Sequence, residues 1–349
     1  MFGTLRFILA LMVMVSHLFF PVQGTYAVFS FYILSGYLMT FIMHENYGYH
    51  NYGKAKFAVN RILRLFPMYW IAAIFTIVLV DMVGSDIAIK YHGAMFIPHD
   101  IKSIFENMFM IFPKAYSVPR LVPPTWALTV EMFYYLLICA GASKTFYTNI
   151  LWFLISVSYV LITFFLDCPP GYRYFPIPAG ALPFSIGGLI YYVSPSEKWI
   201  YYFKILKLST NKLLVAMIIN MLLWQLMYHV LNNRPILELG FYLNIIICAT
   251  LIYSIVVGGN MSFISKRADA FIGDLSYPVY LMHWQVGLLV SFILFGSPLH
   301  GFSTNGLISL IVSIPVVILL SIVLIYLVDH PIQAIRQRIK YTQHPTYNP

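Results

Sequence analysis

The chain has 349 residues, of which 60% are hydrophobic and only 9% are charged, and its mean hydropathy is +0.79. A soluble globular protein needs far more charge on its surface, so this composition excludes that class. The formal net charge is +9, and the three cysteines, two of them inside apolar runs, do not make a disulfide framework.

Apolar stretches recur from one end of the chain to the other. A helix needs roughly 20 residues to cross about 30 Å of hydrocarbon. The predicted spans are residues 3–21, 26–43, 66–83, 124–141, 149–166, 179–194, 213–231, 240–258, 272–296 and 306–328. The sequence therefore predicts an all-α fold, a polytopic integral membrane protein with about ten transmembrane helices.

The first of these stretches has the basic start and apolar body of a signal peptide. It is not followed by a small-x-small cleavage site, and further spans come after it. We therefore expect residues 3–21 to be a retained helix. Residues 1–335 are predicted to form a single transmembrane domain and residues 336–349 a short cytoplasmic tail.

The basic residues predict how the chain is oriented. With the N-terminus inside, 15 of the 21 lysines and arginines fall on the cytoplasmic side of the ten-span arrangement. Lys and Arg gather on that side of membrane proteins, so the bias predicts cytoplasmic N- and C-termini. The net positive charge is explained by topology, and no basic and aromatic patch indicates a nucleic-acid partner.

The longest outer loop, about residues 84–123, contains a short apolar helical face. Its positions follow the i, i+3, i+4, i+7 pattern: Ile101, Ile104, Phe105, Met108, Phe109 and Phe112. The run is too short to span a membrane. We expect either an interfacial or re-entrant helix at the outer surface or a packing element over the bundle.

Very few ionisable residues fall within the predicted spans. His17, Glu131 and His283 lie inside them, and Arg6 and Asp274 lie nearer their cytoplasmic ends. Such groups are costly in a bilayer and usually face a bundle interior or a wet cavity, so each is a functional candidate. The alternatives are that Arg6 is a snorkelling anchor and that a histidine only packs between helices.

Arg6 and His17 share one helical face. Eleven residues separate them, which is close to three turns, and places His17 about 16 Å beyond Arg6 along the helix axis. The ninth predicted span starts at position 272, on the same cytoplasmic side as the first span, and His283 lies eleven residues further on. The two histidines are therefore predicted at similar depth, near the middle of the bilayer.

Arg61 and Arg64 are three residues apart and lie on one helical face beside the third predicted span. Guanidinium groups suit phosphates by charge and by bidentate geometry, and a neutral imidazole is a competent general base near pH 7. This combination favours a phosphate-rich cytosolic molecule bound at the inner surface, with its reactive end directed toward His17.

Six motifs occur in order along nearly the whole chain. They are Arg6 with His17, "FSFYILSGYL" in the second span, "RILRLFPMYW" at the third, "TWALTVEMFYYLL" in the fourth, "IGDLSYPVYLMHW" in the ninth and "LVDHPI" closing the tenth. Each motif alone is weak, but the ordered set is specific. It resembles the membrane-bound acyltransferase-3 family of multi-spanning O-acyltransferases.

The resemblance implies transfer of an acyl group, often acetyl, from cytosolic acyl-coenzyme A to a hydroxyl group. The expected acceptor is a cell-envelope glycan, such as a surface polysaccharide, a lipopolysaccharide or a lipid-linked glycan, in a bacterial inner membrane. The predicted catalytic residues are His17, with Glu131 or His283 orienting it. The predicted donor-binding residues are Arg6, Arg61 and Arg64. The partners expected are the acyl-coenzyme A donor, the glycan and membrane lipids, and no metal is expected.

The chain departs from the family pattern at several positions. The usual paired arginine is Asn60-Arg61, which predicts weaker contacts to donor phosphates, and the late Glu-x-Pro is Asp329-His330-Pro331. Ala127 and Met132 also replace the usual residues. Some relatives carry a C-terminal esterase-like domain, which this sequence does not show, so we expect acceptor capture and chemistry within the bundle.

Two alternatives remain open from the residues alone. Ser35, beside Gly36, is either a nucleophile or, more commonly for small residues in spans, a helix-packing position. A transporter or exporter of a glycan or lipid-linked intermediate, including a proton-coupled one, would also need polar groups at mid-membrane. Against it, the sequence shows no inverted repeat.

Overall fold

The computed structural model describes residues 2–20, 24–112, 119–205, 208–231, 235–259 and 264–341. Over these residues the protein is helical and contains no strand, which confirms the all-α prediction. The helices are α1 (Phe2–Leu18), α2 (Gly24–Ile42), α3 (Asn51–Val83), α4 (Ser85–Tyr91), α5 (Ile101–Phe109), α6 (Thr125–Ala140), α7 (Phe146–Phe165), α8 (Ala181–Val193), α9 (Glu197–Ile205), α10 (Thr210–Leu231), α11 (Pro235–Val256), α12 (Lys266–Phe295), α13 (Thr304–Leu324) and α14 (His330–Tyr341).

Within the described parts of the chain, seven helical segments are long and apolar enough to cross a membrane. They are Gly24–Tyr47, Asn51–Val83, Phe146–Phe165, Thr210–Tyr228, Ile236–Val256, Lys266–Phe295 and Thr304–Lys340. A bent pair, Ile177–Val193 with Glu197–Phe203 at 107°, would be an eighth span. The integral membrane class follows from these helices.

The remaining two predicted spans are also helical but shorter. α1 has 17 residues and α6 has 16, and both are apolar. Helices therefore stand at all ten predicted positions, while the count of ten and the orientation of the bundle stay predictions.

α3 begins well before the position predicted from hydropathy. It starts at Asn51, where the His50 side chain accepts a hydrogen bond from the Gly53 N–H, and it continues through Pro67 to Val83. Hydropathy marks only the apolar part of a helix, so the span predicted at residues 66–83 leaves out the basic first turns of α3. Arg61 and Arg64 consequently lie on a rigid helix.

α1 and α12 run parallel in close contact. A Cβ atom on Gly3 would lie 1.8 Å from the Asp269 carbonyl oxygen, so the absence of a side chain allows the two backbones to meet. The Asp269 carboxylate also accepts hydrogen bonds from the Thr4 N–H at 2.9 Å and the Thr4 hydroxyl at 2.7 Å. This contact fixes the register of the pair and places His17 opposite His283.

α2 is held against α8 in the same way. A Cβ on Gly36 would lie 2.2 Å from the Phe184 carbonyl oxygen, and one on Gly187 would lie 2.2 Å from the Ile33 carbonyl oxygen. One face of α2 is therefore occupied by α8. Another face of α2 lines a cavity that it shares with α3, α6 and α12.

α5 carries the apolar stripe predicted for the long outer loop. Ile101 is 88% exposed and Phe105 54%, whereas the polar Ser103 and Asn107 are buried. The Tyr69 hydroxyl of α3 donates to the Asn107 carbonyl at 2.5 Å. The apolar side thus faces away from the bundle, which favours the interfacial alternative over the packing one.

α14 occupies the segment where the short tail was predicted to begin. It follows α13 through the π-helical turn Ile325–Asp329 and packs against α3. The expected boundary at residue 335 falls inside this helix, and residues 342–349 lie outside the described part of the chain. The apolar positions Ile332, Ile335 and Ile339 have the spacing that could have predicted it.

Candidate active site

The two predicted histidines meet between α1 and α12. His17 Nδ1 lies 2.8 Å from His283 Nε2, and the ring centroids are 5.1 Å apart. His17 is in the last turn of α1, level with the middle of the longer α12. The prediction that both reach similar depth is therefore correct.

Hydrogen bonding fixes the tautomers of this pair. His283 Nδ1 lies 2.8 Å from the Tyr280 carbonyl oxygen, which can only accept, so this nitrogen carries the proton. In a neutral ring, His283 Nε2 is then an acceptor, and His17 Nδ1 must donate to it. The lone pair of His17 is left on Nε2, and His283 orients the ring through a bond to the backbone.

Aromatic and imidazole rings surround the histidine pair. The Trp284 ring centroid lies 5.2 Å from that of His17 and 4.5 Å from that of His92, which follows α4. Trp284 and His283 are buried, while His17 and His92 are partly exposed. His17 is therefore held rigidly, yet it is accessible from one side.

A cavity of about 360 Å³ lies among α1, α2, α3, α6, α12 and α14. Its lining on α2 runs from Val28 to Ile42 along one face, a distance of about 21 Å at 1.5 Å per residue. The cavity is long, and its chemistry changes along its length. Neither His17 nor His283 lines it.

Four arginines line one end of the cavity: Arg6, Arg61, Arg64 and Arg336. Arg64 forms an ion pair with Asp329 at 2.9 Å. Among the described residues, no carboxylate lies within ion-pair distance of the other three arginines. Asp274 and Glu131 are the carboxylates in the described lining, so the four guanidinium groups outnumber them and this end suits a ligand with several negative charges.

Glu131 lies on the cavity wall and not beside the histidines. Its carboxylate accepts a hydrogen bond from Ser35 Oγ at 2.5 Å and another from the Tyr135 hydroxyl. Ser35 is eleven residues along α2 from Gly24, which lies beside His17. Glu131 is therefore about 16 Å from His17 along the bundle, level with Arg6.

Tyr280 connects the cavity with the histidine pair. Its ring lines the cavity beside Phe31, with ring centroids 6.1 Å apart, and its carbonyl accepts the hydrogen bond from His283. His283 lies one helical turn further along α12, about 4.5 Å by axial rise. The end of the cavity away from the arginines thus lies about one helical turn from His283.

The structure brings together most, but not all, of the predicted site residues. His17 and His283 form one contact, and Arg6, Arg61, Arg64 and Glu131 line one cavity. The expectation that Glu131 orients His17 does not fit this arrangement, because the register of α6 against α1 was not readable from sequence. Sequence reasoning also missed Arg336.

The family model for an acyltransferase domain, that of the acyltransferase-3 family, matches residues 2–328. Searches of curated proteins and of solved structures each found no match. The family match covers nearly the whole chain and supports acyl transfer as its chemistry, which the transporter alternative lacks. The chain therefore belongs to the acyltransferase-3 family of membrane acyltransferases.

Proposed function

We propose that this protein transfers an acyl group, most simply acetyl, from cytosolic acyl-coenzyme A to a hydroxyl of a cell-envelope glycan. The observation that carries the proposal is the relay from Tyr280 through His283 to His17. It leaves a lone pair on His17 Nε2 close to the end of an arginine-lined cavity.

The cavity fits the donor in both charge and shape. The phosphates of coenzyme A would bind Arg6, Arg61 and Arg64, where guanidinium groups can form charge-assisted bonds. The pantetheine arm is long, as the cavity is, and its amides would meet Ser35, Glu131 and Tyr135 along the wall. The thioester then extends past Phe31 and Tyr280 toward His17.

His17 would act as the general base. Its Nε2 takes the proton of the acceptor hydroxyl as that oxygen attacks the thioester carbonyl, forming the new C–O bond. The C–S bond then breaks, and the proton returns from His17 to the departing sulfur. Throughout the reaction, His17 Nδ1–H donates a hydrogen bond to His283. This bond stabilises the protonated ring of His17 and keeps its orientation.

The acceptor would approach His17 from the end of the bundle opposite the arginines. The charge bias of the sequence predicts that this end lies outside the cytoplasm, where envelope glycans or lipid-linked glycans are found. A bacterial inner membrane satisfies both requirements, since coenzyme A lies on one side and the glycan on the other.

Site-directed cysteine labelling tests this orientation. Gly93→Cys lies in open space near His92, and Lys198→Cys is exposed on α9; Cys168→Ser removes the one native cysteine that is not buried. An impermeant maleimide added to whole cells should label position 93 but not position 198. Labelling of both positions, or of 198 alone, would contradict the proposed direction of transfer.

The function itself is tested by mass spectrometry of envelope glycans from cells with and without the gene. We expect one class of glycan to lose the mass of an acyl group, and purified protein to consume acetyl-coenzyme A when that deacylated glycan is supplied. A purified protein that neither hydrolyses nor transfers acyl groups would instead support the transporter alternative.

A further inference from the structure

The arginine end of the cavity contains a residue from outside the family motifs. Arg336 lies on α14, beyond the region matched by the family model, and lines the cavity together with Gln333, three residues earlier on the same helical face. Arg6, Arg61 and Arg64 come from α1 and α3. Three helices therefore supply the four guanidinium groups.

Asn60 joins this arginine to the motif on α3. Asn60 is only 3% exposed, and its Oδ1 accepts from Arg336 Nε at 3.0 Å and from Arg61 Nη2 at 3.1 Å. Its Nδ2 donates to the Arg336 carbonyl at 3.1 Å. The side chain at position 60 thus positions two guanidinium groups while carrying no charge itself.

We propose that Arg336 is a donor-binding residue that contacts coenzyme A phosphate, and that the buried Asn60 holds it in place for this contact. This inference rests on the proposed function. Because Asn60 contacts the Arg336 side chain, an arginine in place of Asn60 is expected to fill the space of Arg336 and to supply its charge when Arg336 is removed.

Arg336 and Arg338 form a matched pair of variants. Both changes to alanine remove one positive charge from the same helix, but Arg338 is exposed and does not line the cavity. Coenzyme A binding to purified protein is measured by calorimetry. We expect Arg336→Ala to weaken binding about tenfold to a hundredfold, as for loss of a charge-assisted contact, and Arg338→Ala to leave it unchanged.

Acetylpantetheine separates binding from a structural effect, because it has the arm and thioester but no phosphate. Arg336→Ala should raise KM for acetyl-coenzyme A with little change in kcat, while the rate with acetylpantetheine stays at the wild-type value. The double variant Asn60→Arg with Arg336→Ala should recover most of the lost affinity. A slowed reaction with acetylpantetheine, or a double variant no better than Arg336→Ala, would overturn the proposal.

The outcomes also distinguish this inference from the proposed function. Wild-type protein that binds no coenzyme A would overturn both. Wild-type protein that binds coenzyme A, together with an Arg336→Ala variant that binds equally well, would overturn only the role of Arg336. Equal losses in Arg336→Ala and Arg338→Ala would do the same, because the effect would then follow net charge.

Discussion

The two ends of the proposed reaction path are built differently. At the arginine end, cations from three helices surround a cavity, and only Arg64 among them has a carboxylate partner in the described structure. At the histidine end, two rings are bonded to each other and to a backbone carbonyl, with Trp284 packed against them. One end has unused charge, and the other has fixed geometry.

This difference corresponds to two tasks. Binding a polyphosphate requires positive charge that is not already neutralised, and several arginines can each contribute to it. Proton transfer requires one nitrogen in one orientation, and a small displacement of that atom is costly. We therefore expect substitutions at the histidine end to lower kcat and those at the arginine end to raise KM for the donor.

The largest effect is expected for His17→Ala. Loss of a general base typically reduces rates by about 10²–10⁴, so acyl transfer should fall at least a hundredfold. Binding of coenzyme A should be unchanged, because His17 does not line the cavity. The neighbouring Ser16→Ala, whose hydroxyl donates to the Val13 carbonyl of its own helix, serves as the control. Near wild-type transfer by His17→Ala would reduce the histidine to a packing residue.

A smaller effect is expected for His283→Ala, because this residue acts through His17. Removing a hydrogen bond to a group that becomes charged costs about 1.5–3 kcal/mol, or roughly tenfold to a hundredfold in kcat. His283→Gln retains an oxygen that can accept from His17 Nδ1–H and should recover part of the rate. If glutamine and alanine are equally slow, the orienting hydrogen bond is not what matters at this position.

Ser35→Ala is expected to change the rate less still. Its hydroxyl bonds to Glu131, on the cavity wall and away from His17, so we expect a loss of about threefold to tenfold from weaker positioning of the donor arm. The change should appear mainly in KM for acetyl-coenzyme A. If Ser35 carried the acyl group as a nucleophile, alanine would abolish transfer as completely as His17→Ala does.

The two ends also differ in how far sequence alone could predict them. The depth of His17 and His283 followed from residue counting within two helices that enter from the same side, and the contact between them agrees. Glu131 lies on α6, which starts from the other end of the bundle after a loop, so counting gave no register against α1. Its position depends on packing, including the Gly36 contact that fixes α2.

Arg336 could not be assigned for a related reason. Its distance from Arg61 along the chain is 275 residues, and the turn Ile325–Asp329 that directs α14 back against α3 has no clear sequence signature. The sequence alone predicts that Asn60 weakens the motif, but in the structure its side chain holds a fourth guanidinium group in place. A residue that departs from a family pattern can therefore be interpreted only together with the residues that contact it.

The smallest expected effect concerns His92, outside the spanning helices at the histidine end. Burial, and then the nearby Arg120, lower the pKa of His92 from 6.5 to about 4. Between these values the unfolded chain binds a proton that the folded chain does not, so stability from this group is complete above pH 6.5 and is lost as the pH falls toward 4. The melting temperature is measured at pH 7 and at pH 5. Between these two values it should fall by about 2 °C more for wild-type protein than for His92→Gln, whose side chain cannot titrate. The other titratable groups are the same in both proteins, so their contribution to the fall in melting temperature cancels in this difference. Equal losses would mean that His92 is solvated at this end of the bundle and does not pack tightly against Trp284 in solution.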